Sequence, residues 1–340
     1  MVTKRKQHSS PRPVKQGRGT RAPRPNRIGA STPYHFRGKN LTPYGGLLPV
    51  ATLLEKLDFQ ALLEQTLSVK RITRVMSLYQ FVLALVLGLY IGFARLNQLR
   101  FIARDPLLTG ILKVTRLPPQ STLWRFLASL HLNVARQILS MQRQLRERVW
   151  AAANVRLTTV TLDTDTTVHT LYGRQMGGRK SYNPKNKGKR SYQPILTFLA
   201  ETREYLMGGL HNGDRPSGKE IAVHLESAFR ALPAGVKKIF ARADAGFYCW
   251  EAVEAYQQAR CQFVLVARKT RRLVEQLQQA AWKPSPHSDA AAECEFLYQP
   301  QGWGRACRFV ALRYEKEPET DEAEDEEEPE APPEPSPEAA

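Results

Sequence analysis

The sequence predicts an α/β protein, a mixed five-stranded sheet with helices, preceded by an all-α region. Three observations carry that expectation. From Leu47 to Val155 apolar residues recur at spacings of three and four, the period of helices with one buried face. From Arg156 onward the apolar runs shorten, alternate and become β-branched, as strands do. Two of those runs also deliver an aspartate at their tips: Asp165 in TLDTDTTV (161–168) and Asp244 in KKIFARADAGFY (237–248).

The helical region reads as three stretches, LLEKLDFQALLEQ (53–65), MSLYQFVLALVLGLYIGFARL (76–96) and STLWRFLASLHLNVARQILSMQRQLRERVWAA (121–152). The longest apolar run, Phe81 to Phe93, spans roughly 13 residues where a bilayer needs roughly 18, so a buried helix is expected and no membrane partner. In LPPQSTLWRFLASL (117–130) the prolines end one segment and Ser121 can cap the next helix. Its Thr, Trp and Arg face suits a helix-turn-helix reading DNA; an ordinary core helix would instead bury Leu123, Phe126, Leu127 and Leu130.

The strand region opens with RLTTVTLDTD (156–165), YQPILTFLAE (192–201) and YLMGGLHN (205–212). Ser217 can cap the helix GKEIAVHLESAFRALP; then come the strand KKIFARAD (237–244), the helix WEAVEAYQQA (250–259) and the strand CQFVLVAR (261–268). A meander of three strands followed by two crossover units is the connectivity of the ribonuclease H-like fold, in which the first and fourth strands lie side by side. Asp165 and Asp244 would then converge. Beyond the fifth strand a helix, RRLVEQLQQAAW, and a hairpin turning at Gly302–Gly304 are expected. The chain thus divides into a disordered basic arm (1–45), a helical DNA-binding domain (46–155), a catalytic core (156–269), a partial β-rich insertion (270–314) and a disordered acidic tail (315–340).

Charge indicates the partner. The net charge of +18 hides an asymmetry, because Lys and Arg crowd the arm before Glu55, the first acidic residue, while the C-terminus is acidic and proline-rich. A basic arm of this kind meets a polyanion. The segment 179–194 between the first two strands interleaves Lys180, Lys185, Lys187, Lys189 and Arg190 with Tyr182 and Tyr192, a mixture suited to phosphate neutralisation and stacking; a solvated hairpin is the plainer alternative. Cys249, Cys261, Cys294 and Cys307 have no zinc-type spacing and read as reduced thiols in a cytoplasmic protein, and no apolar leader follows the basic N-terminus.

Two carboxylates on neighbouring strands suit divalent ions such as Mg²⁺ or Mn²⁺ and phosphodiester chemistry, with no histidine or cysteine nucleophile required. Asp163, two residues from Asp165 and on the same strand face, competes with it as a ligand.

At these residues the chain resembles the DDE transposases of bacterial insertion sequences, in the branch with a β-rich insertion after the fifth strand. The matches are D-T-T at 165–167, Y-N-P-K at 182–185, S-Y-Q-P at 191–194, A-E-T-R at 200–203 and R-A-D-A-G-F at 242–247. The resemblance implies that Asp165 and Asp244 are two members of a metal-binding catalytic triad. It implies Mg²⁺-dependent cleavage at transposon ends and strand transfer into target DNA, with Arg242 counted among the DNA-binding residues. The implied partners are double-stranded DNA, as terminal repeats and as target, and a second copy of the chain in a synaptic complex; the implied location is the bacterial nucleoid. The family's third carboxylate lies on a helix after the insertion, in a stretch like Y-x-x-R-x-x-x-E, and no such stretch follows Tyr314. The expectation is therefore a transposase truncated before that helix, with an inactive DNA-binding remnant or inhibitor as the alternative. Glu275, on the helix after strand five, is the candidate replacement in a third reading, a structure-selective nuclease.

Overall fold

The computed structural model describes residues 27–34, 42–69, 76–181, 183, 185–213, 215–286 and 290–314. Most of the basic arm, Tyr182 and the acidic tail lie outside the described residues. The helical part runs α1 (Leu47–Lys56), α2 (Phe59–Thr66), α3 (Leu78–Tyr90), a 3₁₀ segment (Leu96–Ile102), α4 (Pro106–Ile111), α5 (Gln120–Ala128) and α6 (Leu132–Ala152).

Local chemistry sets these boundaries. Ser77 and Gln80 form a reciprocal capping box that starts α3, and Asp105 accepts from the Leu107 and Leu108 amides to start α4 behind Pro106. The apolar run inside α3 is a core helix, with Phe81 and Leu87 fully buried; among the described residues no helix is long and apolar enough to cross a membrane. Two expectations need correction. The run 53–65 is broken because Asp58 takes a left-handed conformation (φ 50°), which a short polar side chain tolerates. Ser121 does not cap α5: the helix begins at Gln120, and the Pro119 carbonyl accepts from the Thr122 and Leu123 amides.

The remaining elements are β1 (Thr159–Thr166), β2 (His169–Thr170), β3 (Arg179–Lys180), β4 (Arg190–Tyr192), β5 (Ile195–Leu199), β6 (Glu204–Gly209), α7 (Gly218–Arg230), β7 (Lys238–Ala243), α8 (Trp250–Gln258), β8 (Gln262–Leu265), α9 (Arg271–Gln279), β9 (Lys283–Pro284), β10 (Ala292–Tyr298) and β11 (Cys307–Arg313). The main sheet has the order β6-β5-β1-β7-β8. β5 runs antiparallel to both β1 and β6, while β7 is parallel to β1 and to β8. This is the ribonuclease H-like arrangement, and it places the first and fourth long strands together as the connectivity predicts. β9, β10 and β11 form the sheet of the expected hairpin, and β2, β4 and β3 a small sheet beyond β1.

One face of the main sheet is packed. Val160 and Leu162 of β1 and Ala241 and Ala243 of β7 turn toward Ile221, Leu225 and Ala228 of α7 and toward Ala252 and Tyr256 of α8. Buried on the same side is a polar chain: Thr164 and Thr197 share a hydrogen bond of 3.0 Å between hydroxyls, and Thr197 meets His224 Nε2 at 2.9 Å. Burial, aided by nearby His211, holds the His224 imidazole down to about 4, so it is neutral at neutral pH.

The long helix α6 joins the two parts. Arg146, 3% exposed in its side chain, pairs with Glu204 at 2.7 Å and donates to the Tyr205 carbonyl at 2.6 Å; Trp150 donates to the other Glu204 oxygen at 2.9 Å. On the opposite side Arg148 donates to the Leu57 carbonyl at 2.5 Å, between α1 and α2.

Two outcomes follow from these packed polar groups. Arg146→Ala leaves Glu204 without its cation and should lower the unfolding free energy by about 3 kcal/mol, read from the urea midpoint. The folded His224 titrates below its unfolded value, so between pH about 6.5 and about 4 the unfolded state binds more protons and stability falls as pH falls. The loss should total about 3 kcal/mol and flatten below pH about 4. His224→Gln, which keeps a hydrogen-bonding group but cannot titrate, should remove that component of the pH dependence.

Candidate active site

β1 and β7 pair in parallel with Asp163 opposite Arg242 and Thr164 opposite Ala243. One further step along both strands brings Asp165 level with Asp244. Because side chains alternate, Asp163, Asp165, Arg242 and Asp244 share the sheet face that α7 and α8 do not cover.

The members of that face have different local roles. Arg242 forms a two-pronged bond to Asp163, with both N···O distances 2.7 Å. This fork ties β1 to β7 and holds the Arg242 guanidinium in its charged form more strongly still. Asp165 Oδ1 accepts from the Thr166 amide at 2.6 Å. Asp244 directly follows β7 and caps a 3₁₀ turn, Ala245–Phe247, its Oδ1 accepting from the Gly246 amide at 2.9 Å. A side chain at position 246 would put a Cβ 2.7 Å from that oxygen, so the Asp244 carboxylate keeps this position only beside a glycine. Each of these two aspartates thus has one oxygen fixed by backbone, an arrangement compatible with oxygen ligation of a hard cation. Among the described residues no group of three or more His, Cys, Asp or Glu is placed to hold a metal. Glu275 is exposed on α9 and pairs with Arg271 at 3.0 Å.

The basic segment rises from the same end of β1 that carries Asp165. β2 follows β1 after two residues and pairs with β4, and the Thr167 amide donates to the Pro194 carbonyl at 3.2 Å. Lys180 closes β3, Arg190 opens β4, and Lys185, Lys187 and Lys189 are exposed between them. Asn183 shapes this connection by donating to Thr170 at 3.0 Å and accepting from the Asn186 amide at 3.1 Å, and Gly188 turns it at φ 76°. Tyr192 is half-buried and its hydroxyl donates to the Met176 carbonyl. On α5, Leu123 and Phe126 are buried while Trp124 and Arg125 are exposed; Leu127 turns outward, contrary to its expected place inside.

Sequence reasoning missed two groups beside Asp244. Arg215, before α7, and Arg268, after β8, both donate to the carbonyls of the turn that follows it. Arg268 ends an apolar run at a strand tip as the aspartates do, which was a usable signal; Arg215 sits in a loop with none.

Residues 29–323 match the family described as Transposase DDE domain group 1. No protein among those with curated descriptions matches. Among solved structures, the chain is similar to the Drosophila P element transposase strand transfer complex at 9% identity and a TM-score of 0.33, covering 66% of this chain and 50% of that one. It is also similar to the piggyBac transposase synaptic complex with hairpin DNA, at 10% identity and a TM-score of 0.35, covering 76% and 56%. For the Mos1 transposase paired-end complex with the left transposon end the figures are 10% identity, a TM-score of 0.23, and 62% and 73%. The chain therefore spans about half the length of the first two. With most of its length matched from Gly29 onward, the chain belongs to the DDE transposase family, group 1.

Proposed function

We propose that this transposase cleaves DNA at the ends of an insertion sequence and transfers the freed strand to target DNA, with Asp165 and Asp244 as two of its catalytic carboxylates. The observation that carries the proposal is the β1–β7 register, which brings two carboxylates from separate strands to one uncovered sheet face. A divalent ion held there, Mg²⁺ or Mn²⁺, would neutralise charge on the phosphodiester and activate the attacking oxygen. Asp165 and Asp244 would hold it through oxygens turned away from their backbone bonds. The Gly246 amide fixes the Asp244 carboxylate, and the Asp163–Arg242 fork keeps the two strands in register. We assign Asp163 this supporting part ahead of direct ligation, because both of its oxygens are engaged by Arg242.

The exposed Lys180, Lys185, Lys187, Lys189 and Arg190, with Tyr192 beside them, would neutralise backbone phosphates of double-stranded DNA entering over Asp165. Phe198, Phe240 and Val264, 36%, 38% and 70% exposed on the carboxylate face, offer a packing surface for a helix bearing the third carboxylate. A second reading, a chain that binds transposon ends without cutting them, is favoured by one observation: among the described residues no three acidic groups are placed together to hold a metal, and Asp163 on the same face is taken up by Arg242.

Cleavage of a labelled transposon-end duplex in Mn²⁺, with gel-shift binding in parallel, separates the readings. Under the first, the chain cuts and Asp244→Ala binds without cutting; binding without cutting by both proteins would establish the second. Gly246→Ala should weaken Mn²⁺ affinity about tenfold while leaving the urea midpoint little changed, because the added methyl displaces the Asp244 carboxylate. Unchanged Mn²⁺ binding in that variant would remove Asp244 from the metal site.

A further inference from the structure

Two cations converge where the described residues place no carboxylate partner for either. Arg215 donates through one terminal nitrogen to the Ala245 carbonyl at 3.2 Å and to the Gly246 carbonyl. Arg268 approaches the same two oxygens from the β8 side, with Nε 2.9 Å from the Ala245 carbonyl and a terminal nitrogen 3.5 Å from that of Gly246. Each guanidinium carries five donors, so both keep unspent N–H groups after these bonds.

Two like charges are thus held against one pair of neutral acceptors, with Arg215 open to solvent. The nearby Arg242 has a different situation, since Asp163 takes up its fork. Carbonyl capping explains why the turn is held, but it needs only one arginine. The second guanidinium, beside the turn that Asp244 caps, has N–H groups left for an anion with several oxygens, and its planar fork matches a phosphate better than an ammonium would.

We propose that Arg215 and Arg268 form a two-arginine seat for a DNA backbone phosphate next to the scissile one. The proposal rests on the transposase reading and deepens it. Because the same two side chains grip the Ala245–Gly246 turn, a phosphate in the seat is positioned relative to Asp244 through one rigid unit. The arginines are thereby substrate-positioning residues, in addition to the cations of segment 179–194 that follow β1 from its Asp165 end.

The test compares the full chain with Arg215→Gln, Arg268→Gln, the double variant and Arg260→Gln, an exposed charge loss just beyond α8. The readouts are affinity for a short DNA duplex across a salt series and Mn²⁺ affinity without DNA. A seated phosphate predicts that the double variant loses about 0.9 from the slope of log affinity against log salt, as one phosphate contact should, with Arg260→Gln near wild type. An unchanged slope with weakened Mn²⁺ binding would overturn the seat, leaving the arginines as holders of the Asp244 turn. Should the glutamine variants fail to fold, Arg268→Lys keeps the charge and loses the fork. It is then expected to bind duplex about fivefold more weakly, and wild-type affinity in that variant would overturn the proposal. Titration with inorganic phosphate distinguishes the source: free phosphate binding tightly while the duplex slope stays unchanged would overturn the assignment to DNA. Cleavage is scored separately, so an unchanged slope in a chain that still cuts sinks the seat alone. A chain that shows the slope change but never cuts sinks the cleavage reading alone.

Discussion

The parallel pairing of β1 with β7 is the constraint on which the rest of the molecule depends. A strand's side chains alternate, so a slip of one residue in this register would turn Asp165 into the core and Thr164 outward. Two polar devices, one on each side of the sheet, oppose that slip. On the open face the Arg242 fork binds Asp163; on the packed face Thr164 reaches Thr197 and, through it, His224. Both devices cost desolvation or side-chain entropy, and both make the correct register the one in which their donors are satisfied.

The helical part is tied to this sheet by a buried polar seam as well as by apolar packing. Arg146 enters from α6 and meets Glu204 and the Tyr205 carbonyl at the edge strand β6, while Arg148 two residues on holds the α1–α2 break. A charged pair so placed is worth little as net stability, but it penalises other docking angles of α6 because they would leave Arg146 buried and unpaired. The sheet edge and the helices therefore share one rigid element.

The hairpin of β10 and β11 is placed by aromatic contact next to the site. Trp303 lies 5.0 Å from Tyr248 and 6.0 Å from Trp250, and Gly304 admits the Trp250 ring at a distance a Cβ could not tolerate. Tyr248 follows Asp244 by four positions, so the insertion is anchored just past the candidate carboxylate. Burial there pushes the Tyr248 hydroxyl up to about 12, keeping it neutral among the rings.

The order of strands, the two aspartate-tipped runs and the capping of α7 by Ser217 were legible in the sequence, because period and local hydrogen bonding are properties of neighbouring residues. Helix breaks were less so: Asp58, left-handed between buried Leu57 and Phe59, interrupts a pattern that is continuously helical in sequence. What tertiary structure alone decided is how the acidic groups divide their work. Asp163 and Asp165 are equivalent by spacing, yet the β7 register gives one an arginine and leaves the other beside Asp244. Glu275, the candidate replacement for the third carboxylate by its place after strand five, is exposed on α9 and pairs with Arg271 one turn away. Arg215 and Arg268 likewise meet only after the sheet has formed, since no local pattern encodes a contact between residues so far apart in the chain.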